Sequence, residues 1–260
     1  MRQHRFDLVI DLQSLARSGT FAWLANGQTT IGLDDSREGA RGFYDLSVTR
    51  PSSETHAVDW YLAVLQRLQV PINQDFIWLP VNEETKKSLR AKWKADDRRW
   101  ILINPGARWA NKRWPVEYFS TLVQMLASDF PQHHFAILGG PDEIALGEKI
   151  TAMIPERTLD LTGQTSLREM VEWIRLGDFL VTNDTGPMHI GAALGTRVVS
   201  LFGPTNPRRT GPDGQLEHAL HFSLPCSPCL KNSCANEKPL ECLRAISPDQ
   251  VRNEVLRRMC

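Results

Sequence analysis

The sequence has 260 residues, 42% hydrophobic and 23% charged, a composition that can bury a core and excludes a disordered chain. Thirty Lys and Arg stand against thirty Asp and Glu, so no basic excess argues for a nucleic-acid partner, and none is expected. No run approaches about 18 apolar residues, and the start MRQHRFDLVIDLQ lacks the long apolar region and cleavage site of a signal peptide. A cytoplasmic location is therefore expected, where the five cysteines read first as free thiols or metal ligands.

FDLVIDLQ leads into SLARSGTFAWLA and predicts a strand followed by a helix. TTIGLD predicts a second strand, and DDSREGARGFYDLSVTRPSSE a polar loop. THAVDWYLAVLQRLQV carries an apolar stripe at Ala57, Tyr61, Val64, Leu65 and Leu68, which predicts an amphipathic helix with Thr55 as its N-cap. PINQDFIWLPVNEETKKSLRAKW reads as a linker and a charged helix. Periodicity is lost there, which places a boundary near 80–95 and divides the chain into domains 1–92 and 93–260.

Beyond the boundary the pattern is regular. RWILINPG, HHFAILGG, TLDLTG, DFLVTND and TRVVSLFG are strands, and PVEYFSTLVQMLASDF, DEIALGEKITAMI, SLREMVEWIRLG and GPMHIGAALG are the helices between them. This alternation predicts an α/β fold with a doubly wound parallel sheet. Ligands of such sheets sit beyond the carboxyl ends of the strands, here NPG, LGG, TNDTG and FGPTNP.

Thr182-Asn183-Asp184-Thr185-Gly186-Pro187-Met188-His189 joins an apolar strand to a helix. Asp184 or Thr185 can cap that helix, Gly186 admits a ligand to the backbone, and Pro187 suits the first turn. Free amides and the helix dipole favour an anion such as phosphate; a capped turn without ligand is the plainer alternative. In NPGARWANKRWP, Lys112, Arg108 or Arg113 could neutralise a diphosphate, against the alternative of a solvated basic loop. In LGGPDE, Asp142 or Glu143 could take ribose hydroxyls, or simply complement the next helix. No P-loop and no G-x-G-x-x-G occurs, so neither a P-loop ATPase nor an ordinary NAD enzyme is supported.

Cys226, Cys229, Cys234 and Cys242 follow the spacing C-x₂-C-x₄-C-x₇-C. Four thiolates can hold Zn²⁺ tetrahedrally; free thiols and disulfides are the alternatives. Lying after the ligand loops, any such metal reads as structural. Cys260 reads as incidental.

NPGARWANKRWP, LGGPDE, TNDTGPMHIGAALGTRVVSLFGPTNP and ISPDQVRNEV together resemble the heptosyltransferase family, glycosyltransferase family 9, whose members build the lipopolysaccharide inner core. DLVIDLQSLARSG and SREGARGFY…HAVDWYL are similar to that family's N-terminal domain, so the resemblance spans nearly the whole chain. It implies a GT-B fold, two Rossmann-like domains with parallel sheets and a site between them. It implies transfer of heptose from ADP-heptose to a lipid A–Kdo or heptosyl acceptor at the inner face of the membrane, with no cofactor required. On this resemblance the donor-phosphate lysine is Lys112, and D-T-G-x-x-H is Asp184, Thr185, Gly186 and His189. The nucleoside-side carboxylate falls at Asp142 or Glu143, and acceptor-binding arginines fall at Arg17 and Arg37.

Family members carry a further strand and glycine-rich loop before the strand that DLVIDLQ matches. The N-terminal domain is therefore expected to be incomplete, with the family's general-base aspartate outside this sequence. Asp11 remains as a candidate base, beside its plainer reading as a turn cap. An edge strand at DLVIDLQ would offer a surface for self-association. Two other readings stay open: a non-catalytic or partner-dependent nucleotide-sugar-binding remnant, and a transferase using another nucleotide sugar.

Overall fold

The computed structural model describes residues 6–35, 38–73, 79–95 and 98–259. The chain divides into two compact units, Met1–Ile77 and Trp78–Cys260.

The first unit holds a parallel sheet of β1 (Leu8–Asp11), β2 (Thr29–Asp34) and β3 (Leu46–Thr49), with β2 in the middle. Helices α1 (Ala16–Leu24) and α2 (Ala57–Arg67) complete it. Ile31 and Leu33 of β2 pack with Val48 of β3 and with Trp60 and Val64 of α2. The Trp60 indole N–H donates to the Val48 carbonyl at 3.0 Å. β3 lies inside the stretch expected to be a polar loop. LSVT is too short an alternation to stand out from its polar flanks, and pairing on β2 decides its conformation. The N-cap of α2 is His56, whose ring accepts from the Val58 N–H, and not Thr55. The Thr55 hydroxyl is taken by the Ser52 N–H at 2.9 Å. Among the described residues β1 pairs only with β2, and its Leu8 and Ile10 are exposed.

The second unit begins before the boundary expected near residue 92. Its first helix, α3 (Glu83–Trp93), buries Leu89 in the core of that unit. The segment before it is tied to the same unit: the Asn82 N–H donates to Glu172 at 3.2 Å, and Arg175 donates to the Leu79 carbonyl at 2.8 Å. One buried leucine in a charged helix is a weak signal in sequence of which unit the helix belongs to.

Six parallel strands form the sheet: β4 (Arg99–Asn104), β5 (His133–Ile137), β6 (Thr158–Asp160), β7 (Phe179–Asn183), β8 (Arg197–Phe202) and β9 (Ala219–His221). Their order is β6-β5-β4-β7-β8-β9, the dinucleotide-fold order with its reversal between β4 and β7. β9 is not foreseen by the sequence pattern; only three residues long, it is made by pairing on β8. Both faces of the sheet are covered, so β4 reads as a continuous apolar run. Ile101 and Ile103 face a core shared with α4 (Val116–Asp129), α5 (Ile144–Thr151) and α10 (Pro248–Met259). Trp100 and Leu102 face the core shared with α3, α6 (Leu167–Leu176) and α7 (Gly186–Leu194). Two short helices, α8 (Pro207–Thr210) and α9 (Glu241–Arg244), lie in the connections after β8 and β9.

Candidate functional site

The carboxyl ends of β4 and β7 are polar, although the strands are otherwise apolar. Asn104 ends β4 and Asn183 ends β7, both buried. Asn104 Nδ2 donates to the Thr182 hydroxyl at 3.1 Å and to the Gly106 carbonyl at 3.3 Å. Asn183 Nδ2 donates to the Pro105 carbonyl at 2.8 Å, and Asn183 Oδ1 accepts the Trp114 N–H at 3.0 Å. The two amides thus pin both ends of the loop from 105 to 114 to the switch point. Trp114 is the anchor at the far end. Its indole N–H donates to the Ile246 carbonyl at 2.9 Å, and its ring packs edge-on to Phe119.

This fixed loop presents Lys112 from a short 3₁₀ turn, Ala110–Lys112. Lys112 Nζ lies 2.6 Å from Asp184 Oδ2 and 5.0 Å from the centre of the Trp109 ring. The Thr205 hydroxyl donates to the same Asp184 oxygen at 2.5 Å. Asp184 is only 5% exposed, so its charge is satisfied by the lysine and a hydroxyl while water is nearly excluded. Arg113 is committed elsewhere, its Nε donating to the Ala107 carbonyl at 2.8 Å. Arg108 is exposed.

Thr185 caps α7 in extended conformation with no side-chain cap hydrogen bond, and Pro187 occupies the first turn. The leading amides of α7 are thus not taken by a capping side chain, and they carry the positive end of the helix dipole. Gly186 is exposed at the start of the helix, and His189 is exposed at the end of its first turn. Asp184, which holds Lys112, immediately precedes this N-terminus in the chain.

The structure separates the positions of the two carboxylates after β5. Asp142 is exposed. Glu143 folds back, accepting the Gly140 N–H at 2.8 Å. Its carboxylate lies over the end of β4, so that a Cβ built on Gly106 would stand 1.7 Å from Glu143 Oε1. Gly106 is therefore a close-approach glycine.

In the first unit Asp11 ends β1 and is 6% exposed. One carboxylate oxygen accepts the N–H groups of Gln13 and Ser14 at 2.9 and 3.3 Å. The other accepts the hydroxyls of Ser18 and Tyr44 at 2.8 and 2.7 Å. Burial works to raise its pKa, but the donors led by Tyr44 outweigh it and hold the carboxyl below its ordinary value. Burial and the Asp11 charge push the Tyr44 hydroxyl well above the usual phenol value. A carboxylate with donors on both oxygens and a lowered proton affinity is suited to capping the β1–α1 turn and poorly suited to general-base work. Arg17 is exposed on α1, where it lines a concavity with Asp11, Gln13 and Phe21. Arg37 lies outside the described residues.

Cys226, Cys229, Cys234 and Cys242 are free thiols that line one cavity of about 380 Å³. Burial pushes the Cys242 thiol up. Among the described residues, no three His, Cys, Asp or Glu side chains stand in chelating geometry. Cys260 lies outside the described residues.

The site is therefore centred on Lys112, Asp184 and the start of α7, with Glu143 over the neighbouring strand end. Thr205, Asn104 and Asn183 belong to it and carry no motif of their own. A polar residue closing an otherwise apolar strand, as in RWILIN and FLVTN, is the signal that marks the two asparagines.

Comparison with known proteins shows the family of the chain. The profile of glycosyltransferase family 9 (heptosyltransferase) matches residues 1–240. Lipooligosaccharide heptosyltransferase 2 of Campylobacter jejuni is 27% identical over 244 residues, covering 91% of this chain and 74% of the relative. The crystal structure of a family 9 glycosyltransferase from Veillonella parvula superposes with a TM-score of 0.81 at 25% identity, over 98% of this chain and 74% of that one. E. coli heptosyltransferase WaaC with ADP superposes with a TM-score of 0.69 at 20% identity, over 98% and 73%.

Proposed function

Because this chain belongs to glycosyltransferase family 9, the heptosyltransferases, we propose that it transfers a heptose from ADP-heptose to the lipopolysaccharide inner core. The observation that carries this reading is the Lys112–Asp184–Thr205 cluster at the N-terminus of α7, at the sheet's switch point.

In this reading Lys112 and the leading amides of α7 hold the diphosphate. Asp184 aims the lysine, and Gly186 lets a phosphate oxygen reach the backbone. Thr185 and His189 border the same anion. Glu143, and not the exposed Asp142, takes the ribose hydroxyls, because it already lies over the ends of β4 and β5. The acceptor is anionic, and Arg17 is the described residue offered to it; Arg37 is its expected companion. Unit 78–260 thus serves the donor and unit 1–77 the acceptor.

The reaction breaks the bond between the anomeric carbon and the diphosphate oxygen as an acceptor hydroxyl forms a new C–O bond. The hydroxyl proton passes to a base, and ADP leaves with an extra negative charge. Lys112 and the α7 amides face that charge as it develops, the kind of fixed electrostatic stabilisation that acts without reorganisation. No metal is needed for this step. The acceptor belongs to the inner membrane's cytoplasmic face, and the enzyme works there as a peripheral protein. Among the described residues no helix is long and apolar enough to cross a membrane.

A second reading, nucleotide-sugar binding without efficient turnover, is favoured by Asp11. The carboxylate nearest to a base role is occupied on both oxygens and held low. Calorimetry with ADP, ADP-heptose and adenosine, followed by transfer of radiolabelled heptose to a Kdo–lipid A or heptosyl acceptor, tests both readings. Binding with transfer supports the enzyme, and binding without transfer supports the binder. A folded chain that takes up neither nucleotide refutes the donor site itself.

A further inference from the structure

The cysteine cavity lies against the two loops that carry the candidate donor site. Its walls include Asn111, the neighbour of Lys112, and Pro204, the neighbour of Thr205. The cysteine segment from 222 to 240 runs between β9 and α9 with one isolated bridge, Leu224 to Ser227, as its regular structure. Connections longer than about 12–15 residues without their own secondary structure are uncommon in compact units unless they have a function. Three of the hydrogen bonds that hold this one go to the donor-site loops. Ser227 donates to the Gly203 carbonyl at 2.6 Å, the Leu230 N–H to the Pro204 carbonyl at 2.8 Å, and Asn111 Nδ2 to the Lys231 carbonyl at 2.9 Å.

The four sulfurs share one cavity, although no three of them stand in chelating geometry in this structure. Four thiols from one irregular segment and the start of α9 line a single cavity. The Leu240 N–H donates to Cys234 Sγ at 3.4 Å, and the Leu243 N–H donates to Cys242 Sγ.

We propose that Cys226, Cys229, Cys234 and Cys242 bind one thiophilic divalent cation of the Zn²⁺ or Fe²⁺ class, and that the bound ion locks the loops of Lys112 and Thr205 in place. The four sulfurs draw in from the cavity walls to about 2.3 Å from the ion, each releasing its proton as it ligates. The segment has little regular structure to resist that movement. The metal site stands on the cysteines alone; its coupling to donor affinity rests on the function proposed above.

The test uses the full chain, purified under reducing conditions and loaded separately with Zn²⁺ or Fe²⁺. The expected result is about one ion per chain with all four thiols protected from a thiol reagent. Chelation should lower Tm, because an ion held by the folded state stabilises it. Cys234→Ser alters an exposed thiol, so without a metal role it would leave Tm unchanged. Here it should abolish retention of the ion, reproduce the Tm of the chelated wild type and weaken ADP binding roughly 5- to 150-fold. Retention of neither cation, with four reactive thiols and a Tm indifferent to chelation and to Cys234→Ser, overturns the site. A mass lowered by disulfide formation in the freshly isolated protein overturns it as well. One ion per chain with ADP affinity unchanged in Cys234→Ser keeps the site and overturns the lock. A metal-loaded wild type that binds no ADP would instead refute the donor reading and leave the metal count standing.

Discussion

Replacing Lys112 by alanine separates the proposed diphosphate contact from everything else a nucleotide touches. The ammonium lies 2.6 Å from Asp184 and 5.0 Å from the Trp109 ring centre, with the side chain 19% exposed. Its charge is thus mostly sheltered and its direction fixed. A hydrogen bond to a charged group in such a place is worth about 1.5–3 kcal/mol, and every 1.4 kcal/mol is about tenfold in Kd. Lys112→Ala should therefore weaken ADP and ADP-heptose roughly 10- to 150-fold while leaving adenosine within about twofold. The substitution also leaves the Asp184 carboxylate with the Thr205 hydroxyl in place of the ion pair. Removing one partner of a fully buried pair costs about 3–5 kcal/mol, and the access of water to Lys112 puts this case below that range. Titration calorimetry with ADP and adenosine, run well below the variant's own Tm, reads the two effects apart. Equal loss for both ligands would show that the lysine only supports the fold. Unchanged ADP affinity would remove Lys112 from the site.

Two further outcomes follow from the geometry. Gly106→Ala should drive Glu143 from its place, since the new methyl would stand 1.7 Å from its carboxylate. Circular dichroism should show a nearly unchanged Tm, because a flexible carboxylate can move away, while calorimetry shows ADP binding weakened about tenfold by the lost charged contact; unchanged binding would free Glu143 from the ribose. Asp11→Asn should destabilise unit 1–77 by about 1–3 kcal/mol near neutral pH, with a definite pH dependence. The folded carboxyl is held below its ordinary 3.8, so its contribution is fully present above 3.8 and is lost as pH falls from there through the lower folded value. Denaturant unfolding of wild type and variant should therefore converge in acid and diverge above it. A gap that stays constant through acid would mean that the charge of Asp11 plays no part.

The doubly wound sheet of the second unit was legible because its strands are buried on both faces. Such strands announce themselves as apolar runs, and RWILIN, FLVTN and RVVSLF all do. The turn into α7 was legible for a local reason: glycine, proline and cap residues act through their own backbone. What the sequence hid depends on distant partners. β3 and β9 exist through pairing on longer neighbours. α3 belongs to the second unit through Leu89 and the ties of its leading segment to Glu172 and Arg175. Asp142 and Glu143 are adjacent and chemically alike, and only the fold shows which of them lies over Gly106. Thr205 is hidden for the same reason, since its role comes from meeting Asp184 across two strand ends.

The Lys112–Asp184 pair also answers why a charge is kept in the interior of this sheet. Asp184 follows a strand whose five residues are all buried and is itself 5% exposed. For stability alone, an apolar pair of similar volume would serve as well or better, since desolvation of a buried ion pair offsets most of its attraction. The pair gains its meaning from the start of α7, whose amides follow Asp184 directly in the chain and favour an anion. With Lys112 already aimed and its side chain already ordered, an arriving diphosphate does not bear the entropy of fixing it, and the leaving group meets a field that is in place before the bond breaks. On the proposed function the buried aspartate is thus a positioning residue, and the stability it forgoes is recovered as binding when an anion arrives.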